Sequence, residues 1–595
     1  MDLFWSASTT MRNPERMSQF LETVKGIEGE EWNNDTQCKY QILLIKNRYY
    51  KPTEANLPPE LYRLITDYKH EMTFAEASEI FKQKQYKDAP MRGRTSFDPL
   101  EKLGLVSLDE MEKGVKCVRI TNFGHMFLNN EIDLGEVVFT IFLKMQFPNP
   151  LEDARHDYCI KPFIGAMHLI RQVNFICKQR GISAVGVSRE EFGIFVLSLK
   201  SYKDVDAAAQ SLIDFRIHKH CLKTDKEKWN FVYSYISDYL KNFKNPHQNI
   251  WEYTDNIIRY LRLTKYIYIR GGGYYIDLEP RRMIEIDAIL SQDNGAAKSF
   301  KKNEYTEYIS NYHAYTLPFE TAGALTQIAG NIIKENKKLA ENLAIEYKEA
   351  ELPETSDELK YLINKLREHR NELQNAKIKF EYRDIQKIDD AITALKDTLK
   401  HKKNAANRPS IELEKWTNVA MNILDDAVLI KPNAPLGDDN EPTFTAPRYV
   451  PDIECYYDGF GAICEVTMLT GRDQWFNEGQ PVMRHLRQFE NDNNKHDNYC
   501  LFIAPKLHTD TINTFWIAVK HEYEGRHQKI VPITINGLID ILNAVRNVKS
   551  KNKTFCKEDL HRLLDNCVDI SRVSDSTKWL THINNVISEW SSRLA

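Results

Sequence analysis

The stretch PDIECYYDGFGAICEVT, residues 451–467, constrains the fold of this chain more than any other. Two runs rich in apolar and aromatic residues flank Asp458-Gly459, a dipeptide that favours a tight reversal, so a β-hairpin is predicted. If Asp458 to Gly461 forms a four-residue turn, Tyr457 faces Ala462, Glu454 faces Glu465 and Asp452 faces Thr467. Side chains on a strand alternate, so Asp452, Glu454, Glu465 and Thr467 emerge on one face. Ile453, Cys464 and Val466 take the other, buried face. Like charges placed across a sheet destabilise it, and three acids within about 5–8 Å need a counter-charge. A hard divalent cation such as Mg2+ is the usual answer, because it prefers carboxylate oxygens and retains several waters. An edge strand with its acids in bulk solvent is the alternative that the hairpin alone leaves open.

The residues downstream favour the cation. Pro481 suits the first turn of a helix, PVMRHLRQFEND, which carries Arg484 and His485. NYCLFIAP, residues 498–505, is a continuous apolar run of the kind found in buried parallel strands. KIVPITI, 529–535, reads as a further strand and GLIDILNAVRNV as a helix. Hairpin, helix, strand, helix, strand describes a mixed sheet covered by helices. That order resembles the core of the PD-(D/E)xK nucleases.

At 595 residues the chain exceeds one hydrophobic core, and roughly three or four domains are expected. Residues 1–300 mix short helices, short strands and glycine turns, while 331–436 contain no glycine and read as long polar helices. The predicted division is 1–300, a helical linker over 301–400, and 401–595 as an α/β domain with a mixed sheet, giving a multidomain α+β protein. Thr73 and Glu76 form a capping box ahead of a helix, and PMRGRTSFDPLEKLGLVS and KCVRITNFGHMFLNN follow. Helix, helix, two strands and a closing helix is the order of a winged helix. In a second such pattern, YTDNIIRYLRLTKYIYIRGGGYYIDLEP, Gly271 to Gly273 separate two strands as a wing. Winged helices place basic residues of one helix against duplex DNA. Arg92 and Arg94, expected just before the helix of the first pattern, and Arg259 and Arg262, on one face of the second helix, are the candidate contacts.

Net charge is −4, from 80 Lys and Arg against 84 Asp and Glu, so any phosphate-binding surface must be local. Ten cysteines contain no C-x-x-C pair and read as free thiols in a reducing compartment. The sequence has no run of eighteen apolar residues, and its start lacks a signal-peptide pattern, so a cytoplasmic protein with no membrane partner is expected.

On these residues the chain resembles the type IIS restriction endonucleases of the AlwI type, a family that also contains site-specific nicking endonucleases. The anchors are Pro451-Asp452, Glu465-Val466-Thr467, Glu478 and PVMRH from Pro481 to His485, with Asp452, Glu465 and Glu478 each thirteen residues apart. Upstream, RPSIELEKW sets Glu412 four residues before Trp416, and Trp5, Pro14-Glu15 and Trp32 resemble the family's opening segment. The resemblance implies an N-terminal recognition half, a helical linker and a C-terminal cleavage domain acting on double-stranded DNA outside an asymmetric site. It implies that Glu412, Asp452, Glu465 and Glu478 form the catalytic and metal-binding set, with Asp452, Glu465 and Glu478 as Mg2+ ligands and His485 close by. The lysine that the wider superfamily carries two residues after the second acid is Thr467 here. Glu478, His485 or a second metal ion are the candidates for its role, and His485 also fits as a packed helix histidine. One such centre cuts one strand, so a double-strand break calls for a transient homodimer or a second cleavage subunit. The other readings are a winged-helix DNA-binding regulator without catalysis and a structure-selective repair nuclease.

Overall fold

The structure is a computed structural model that describes all residues except 6–10, 12, 15, 55–56, 67–69, 111–113, 183–185, 271–274, 401–408, 425, 444, 447–449, 495–496 and 595. The chain is a mostly helical α+β protein in two compact units, Met1–Thr321 and Ala322–Ala595.

In the first unit, Asn34–Lys46 (α1), Phe74–Gln83 (α2) and Ala89–Lys102 (α3) precede an antiparallel ribbon, Val106–Glu110 (β1) with Lys116–Ile120 (β2), closed by Asn122–Leu128 (α4). The capping box is present: Thr73 Oγ1 accepts from Glu76 N at 3.3 Å, and the Glu76 carboxylate accepts from Thr73 N at 2.8 Å. Asp88 accepts from Met91 N at 3.0 Å and Pro90 sits in the first turn, so α3 starts earlier than the sequence reading has it. Arg92 and Arg94 therefore lie on that helix, not ahead of it. The chain leaves α3 through Gly104 at φ +75°, where a Cβ would meet the Ile309 carbonyl oxygen at 2.6 Å. Leu134–Lys144 (α5) ends on a buried lysine whose Nζ donates to Ile309 O at 2.7 Å and Asn311 O at 2.8 Å. Further on, Val187–Ser188 (β3) and, after the helix Pro246–Leu263 (α6), Ile267–Arg270 (β4) and Tyr275–Leu278 (β5) form a three-stranded sheet in the order β3-β5-β4. Gly271 to Gly273, read as the tip of a wing, lie outside the described residues.

The second unit opens with Ala322–Asn342 (α7), Ser356–Glu381 (α8), Ile385–Leu399 (α9) and Pro409–Ile423 (α10). In α8, Leu359, Ile363 and Leu366 are buried, as their helical spacing predicts. Arg370, 1% exposed, reaches Glu335 on α7 at 3.1 Å and Asp438 at 2.5 Å. The glycine-free helices thus pack into this unit.

A mixed sheet follows, ordered β10-β9-β8-β7-β6: Leu429–Pro432 (β6), Ile453–Tyr456 (β7), Phe460–Val466 (β8), Asp497–Ala504 (β9) and Ile530–Thr534 (β10). β6 pairs antiparallel with β7 and β7 with β8, whereas β8, β9 and β10 pair in parallel. Arg472–Asp492 (α11), Thr509–Lys520 (α12), Ile535–Ser550 (α13), Lys557–Val573 (α14) and Ser576–Leu594 (α15) complete the unit. β6 has no counterpart in the sequence reading.

Three details of the hairpin differ from expectation. The turn holds two residues, Asp458 and Gly459, with Tyr457 N donating to Phe460 O at 3.0 Å and Gly459 at φ +104°. Pairing is therefore displaced by two: Glu454 faces Ile463, and Ile453 faces Cys464. An even displacement keeps every side chain on its predicted face. Nor is the hairpin covered on one side alone, since Phe460 to Cys464 are all buried in the central strand. Finally, α11 begins at Arg472, behind Gly471 at φ +68°, so Pro481 lies inside the helix and not in its first turn. The cost is one intrahelical hydrogen bond.

Candidate active site

Glu465 lies near the end of the central strand β8, and Asp452 immediately precedes β7. Continuing the β7–β8 register by one residue sets Asp452 across from Glu465, and Asp452 Oδ2 accepts from Val466 N at 2.7 Å. Glu454, the third acid of the predicted face, is drawn aside: it accepts from Asn433 Nδ2 at 2.9 Å and from the Tyr456 hydroxyl, opposite Lys431 on β6. Those partners hold its pKa below the usual carboxylate range against the effect of burial.

The third carboxylate of the site comes instead from α11. Glu478 and His485 are seven residues apart, two helical turns, and so share a face. His485 Nδ1 pairs with Glu465 Oε1 at 2.7 Å. The Thr467 hydroxyl accepts from Leu469 N at 3.1 Å and lies against the Glu478 carboxylate, whose pKa it lowers. Thr467, standing where the superfamily has lysine, thus anchors the helix-borne acid.

Electrostatics mark the cluster. Burial first, then Glu465, pushes the Asp452 carboxyl well up, against the Val466 hydrogen bond. Burial and the Glu478 charge push Glu465 well up. Burial raises Glu478 to about 7, despite Thr467 and His485. Burial, aided by Arg484, lowers His485 to about 4, which leaves the imidazole neutral near pH 7. A neutral imidazole that donates from Nδ1 presents Nε2 as an acceptor, and Nε2 is buried with no hydrogen-bond partner among the described residues.

Glu412 is held differently. It lies on α10 and accepts from Trp416 Nε1, one turn on, at 3.0 Å. The charges acting on Asp452 are those of Glu465 and Glu478.

The profile of the AlwI restriction endonuclease family matches residues 101–541, more than half of the chain. The chain belongs to this family. It is a restriction endonuclease, a hydrolase that cleaves DNA. Among solved structures, it is similar to the small subunit of the heterodimeric restriction endonuclease R.BspD6I, at 18% identity and a TM-score of 0.27 over 35% of this chain and 97% of that one. No curated protein matches the sequence.

Restriction endonucleases of this family typically use a divalent metal. Among the described residues no group of three or more His, Cys, Asp or Glu side chains is arranged to hold a metal ion. The site nevertheless fits a hard cation: its carboxylates repel one another, no lysine or arginine pairs with them among the described residues, and Mg2+ needs only one or two carboxylates beside its waters. All ten cysteines are free thiols.

In the first unit of this restriction endonuclease the candidate DNA contacts separate. The Arg92 guanidinium stacks 4.6 Å from the centre of the Tyr86 ring on the exposed side of α3. Arg94 is engaged internally, with Gln37 Oε1 and Asp88 Oδ2, each at 2.9 Å. Arg259 is exposed on α6 and Arg262 is half-buried. Among the described residues no helix is long and apolar enough to cross a membrane.

Proposed function

We propose that this endonuclease is of type IIS: it binds an asymmetric duplex site through residues 1–300 and hydrolyses a phosphodiester bond outside that site with 401–595, the helices of 301–400 linking the two along the chain. The observation that carries the cutting centre is the gathering of Asp452, Glu465 and Glu478 around a buried strand end, with His485 on Glu465. The recognition reading is supported by the order α2, α3, β1, β2, α4, which is that of a winged helix, and by exposed Arg92 on the second helix of that series.

Asp452 and Glu465 would hold Mg2+, with Glu478 as a third oxygen donor. Bound there, the ion would lower the pKa of the attacking water and polarise a phosphoryl oxygen. The chain's own groups do the rest. Val466 N fixes one Asp452 oxygen, which leaves the other to face the site. Glu465 accepts the Nδ1 proton of His485, which sets the tautomer so that Nε2 can take a hydrogen bond from the water. Thr467 holds Glu478 in place, so the task of the missing lysine falls to Glu478 and His485 together. Glu412 would serve as an outer carboxylate, oriented by Trp416. One such centre cuts one strand, and a double-strand break takes a second, from a homodimer or a separate cleavage subunit.

Plasmid digestion with Mg2+, followed by end sequencing, tests the reading. Discrete ends at a constant offset from one sequence are expected, with Asp452→Asn and His485→Ala each slower by about 10²-fold or more. Intact plasmid, cuts without sequence preference, or an Asp452→Asn enzyme that cuts at the wild-type rate would overturn it.

A further inference from the structure

Two loops leave the sheet beside the acid cluster, and a single buried side chain ties them together. Thr467 N donates to Ile503 O at 3.0 Å, so the loop after β8 and the loop after β9 depart next to each other. Gln474, fully buried in the first turn of α11, spans both. Its Nε2 donates to Leu469 O at 2.9 Å and Lys506 O at 2.8 Å, and its Oε1 accepts from His508 N at 2.8 Å. A buried amide that spends both hydrogens and its oxygen on backbone groups of two loops makes a rigid rim. From this rim rise Arg472 and Lys506, both exposed and, among the described residues, without an ionic or hydrogen-bonding partner. Two uncompensated cations stand on a fixed ledge next to three carboxylates, where a polyanion must approach an acidic centre.

We propose that Arg472 and Lys506 bind backbone phosphates of the DNA strand being cut, on either side of the scissile bond. The proposal rests on the reading of the acid cluster as the cutting centre, and it deepens that reading by naming how the substrate is held there. Contacts of this kind carry no base information; they position the strand and offset the repulsion between its phosphates and the acids.

The test measures binding of the full chain to a fluorescein-labelled duplex by anisotropy, with Ca2+ in place of Mg2+ and KCl varied. Each phosphate contact contributes about 0.9 to the slope of log affinity against log salt. Arg472→Ala/Lys506→Ala is expected to flatten that slope by about 1.8 and to slow single-turnover cutting in Mg2+, while Arg472→Lys/Lys506→Arg keeps the slope. Melting temperature checks that the fold is intact, as expected for two exposed, unpaired side chains. A wild-type slope in the double alanine variant overturns the proposal. Asp452→Asn separates the two readings: it is expected to keep the slope and lose cutting, and retained cutting would instead condemn the assignment of the acid cluster.

Discussion

Glu465→Gln tests the strain stored in the acid cluster. Glu465 is 5% exposed, and burial together with the Glu478 charge pushes its pKa well above the ordinary 4.5. Without a cation, the raised pKa shifts this carboxyl toward its protonated form in the folded protein, whereas the unfolded chain ionises it at pH 7. The resulting penalty at pH 7 has a ceiling of about 3.4 kcal/mol, set by the ordinary pKa, because protonation relieves any larger cost. Glutamine has the same shape and still accepts from His485 Nδ1, but it has no charge to lose. Part of the desolvation cost remains with the amide, so a net stabilisation of about 1–3 kcal/mol is expected in EDTA. That is roughly 2–5 °C in Tm for a unit of this size. The sign follows from linkage: a carboxyl whose folded pKa is raised binds more protons folded than unfolded, so wild-type stability falls as pH climbs above 4.5. The advantage of the variant should therefore be small near pH 4.5 and grow toward pH 7. Calorimetry in EDTA at both pH values, repeated with Ca2+, reads this directly. Ca2+ should raise the wild-type Tm and leave the variant nearly unmoved, and cutting should be abolished. A variant less stable than wild type at pH 7, or one with the full wild-type gain from Ca2+, would refute the view of Glu465 as a strained cation ligand.

Three further outcomes are expected. Lys144→Met leaves the carbonyls of Ile309 and Asn311 without a donor and should destabilise the first unit by about 2–4 kcal/mol in urea titration. Burial lowers Lys144 to about 7, so between pH 7 and its ordinary 10.5 the unfolded state holds the extra proton and wild-type stability rises with pH; the variant should lose that rise. Gly93→Ala puts a Cβ 1.9 Å from the Gln37 carbonyl oxygen where α3 crosses α1, and a loss of about 2 kcal/mol or more is expected from thermal unfolding. Arg92→Ala should weaken DNA binding without moving Tm, whereas Arg94→Ala, which strips Gln37 and Asp88 of a donor, should lower Tm; anisotropy and calorimetry separate the two.

The sequence was legible where its signals are local. Asp458-Gly459 marks a reversal whatever surrounds it, and the apolar run of β9 reads as a buried strand because helices cover both of its faces. The turn length was not legible, since it depends on Gly459 adopting φ +104°. The acids stayed on one face only because the resulting displacement was even. Pro481 misled because proline favours helix starts, while the true start at Arg472 has no side-chain cap to announce it. β6 escaped notice because four residues carry too little periodicity, and its pairing with β7 diverts Glu454 to Asn433 and Tyr456. Gln474 carries no signal at all in the sequence, since an amide is placed by its backbone partners.

By itself the sequence determined the kind of chemistry available and the elements that carry it. Acids spaced thirteen residues apart around a hairpin, and a helix that carries His485, are properties of neighbours along the chain. The tertiary structure alone decided which acids meet. Glu478 joins Asp452 and Glu465 because α11 packs against β8, and Glu412 accepts a hydrogen bond from Trp416 of its own helix. Charges interact through space at a few ångströms, and such distances between residues far apart in sequence exist only once the sheet and its helices have packed.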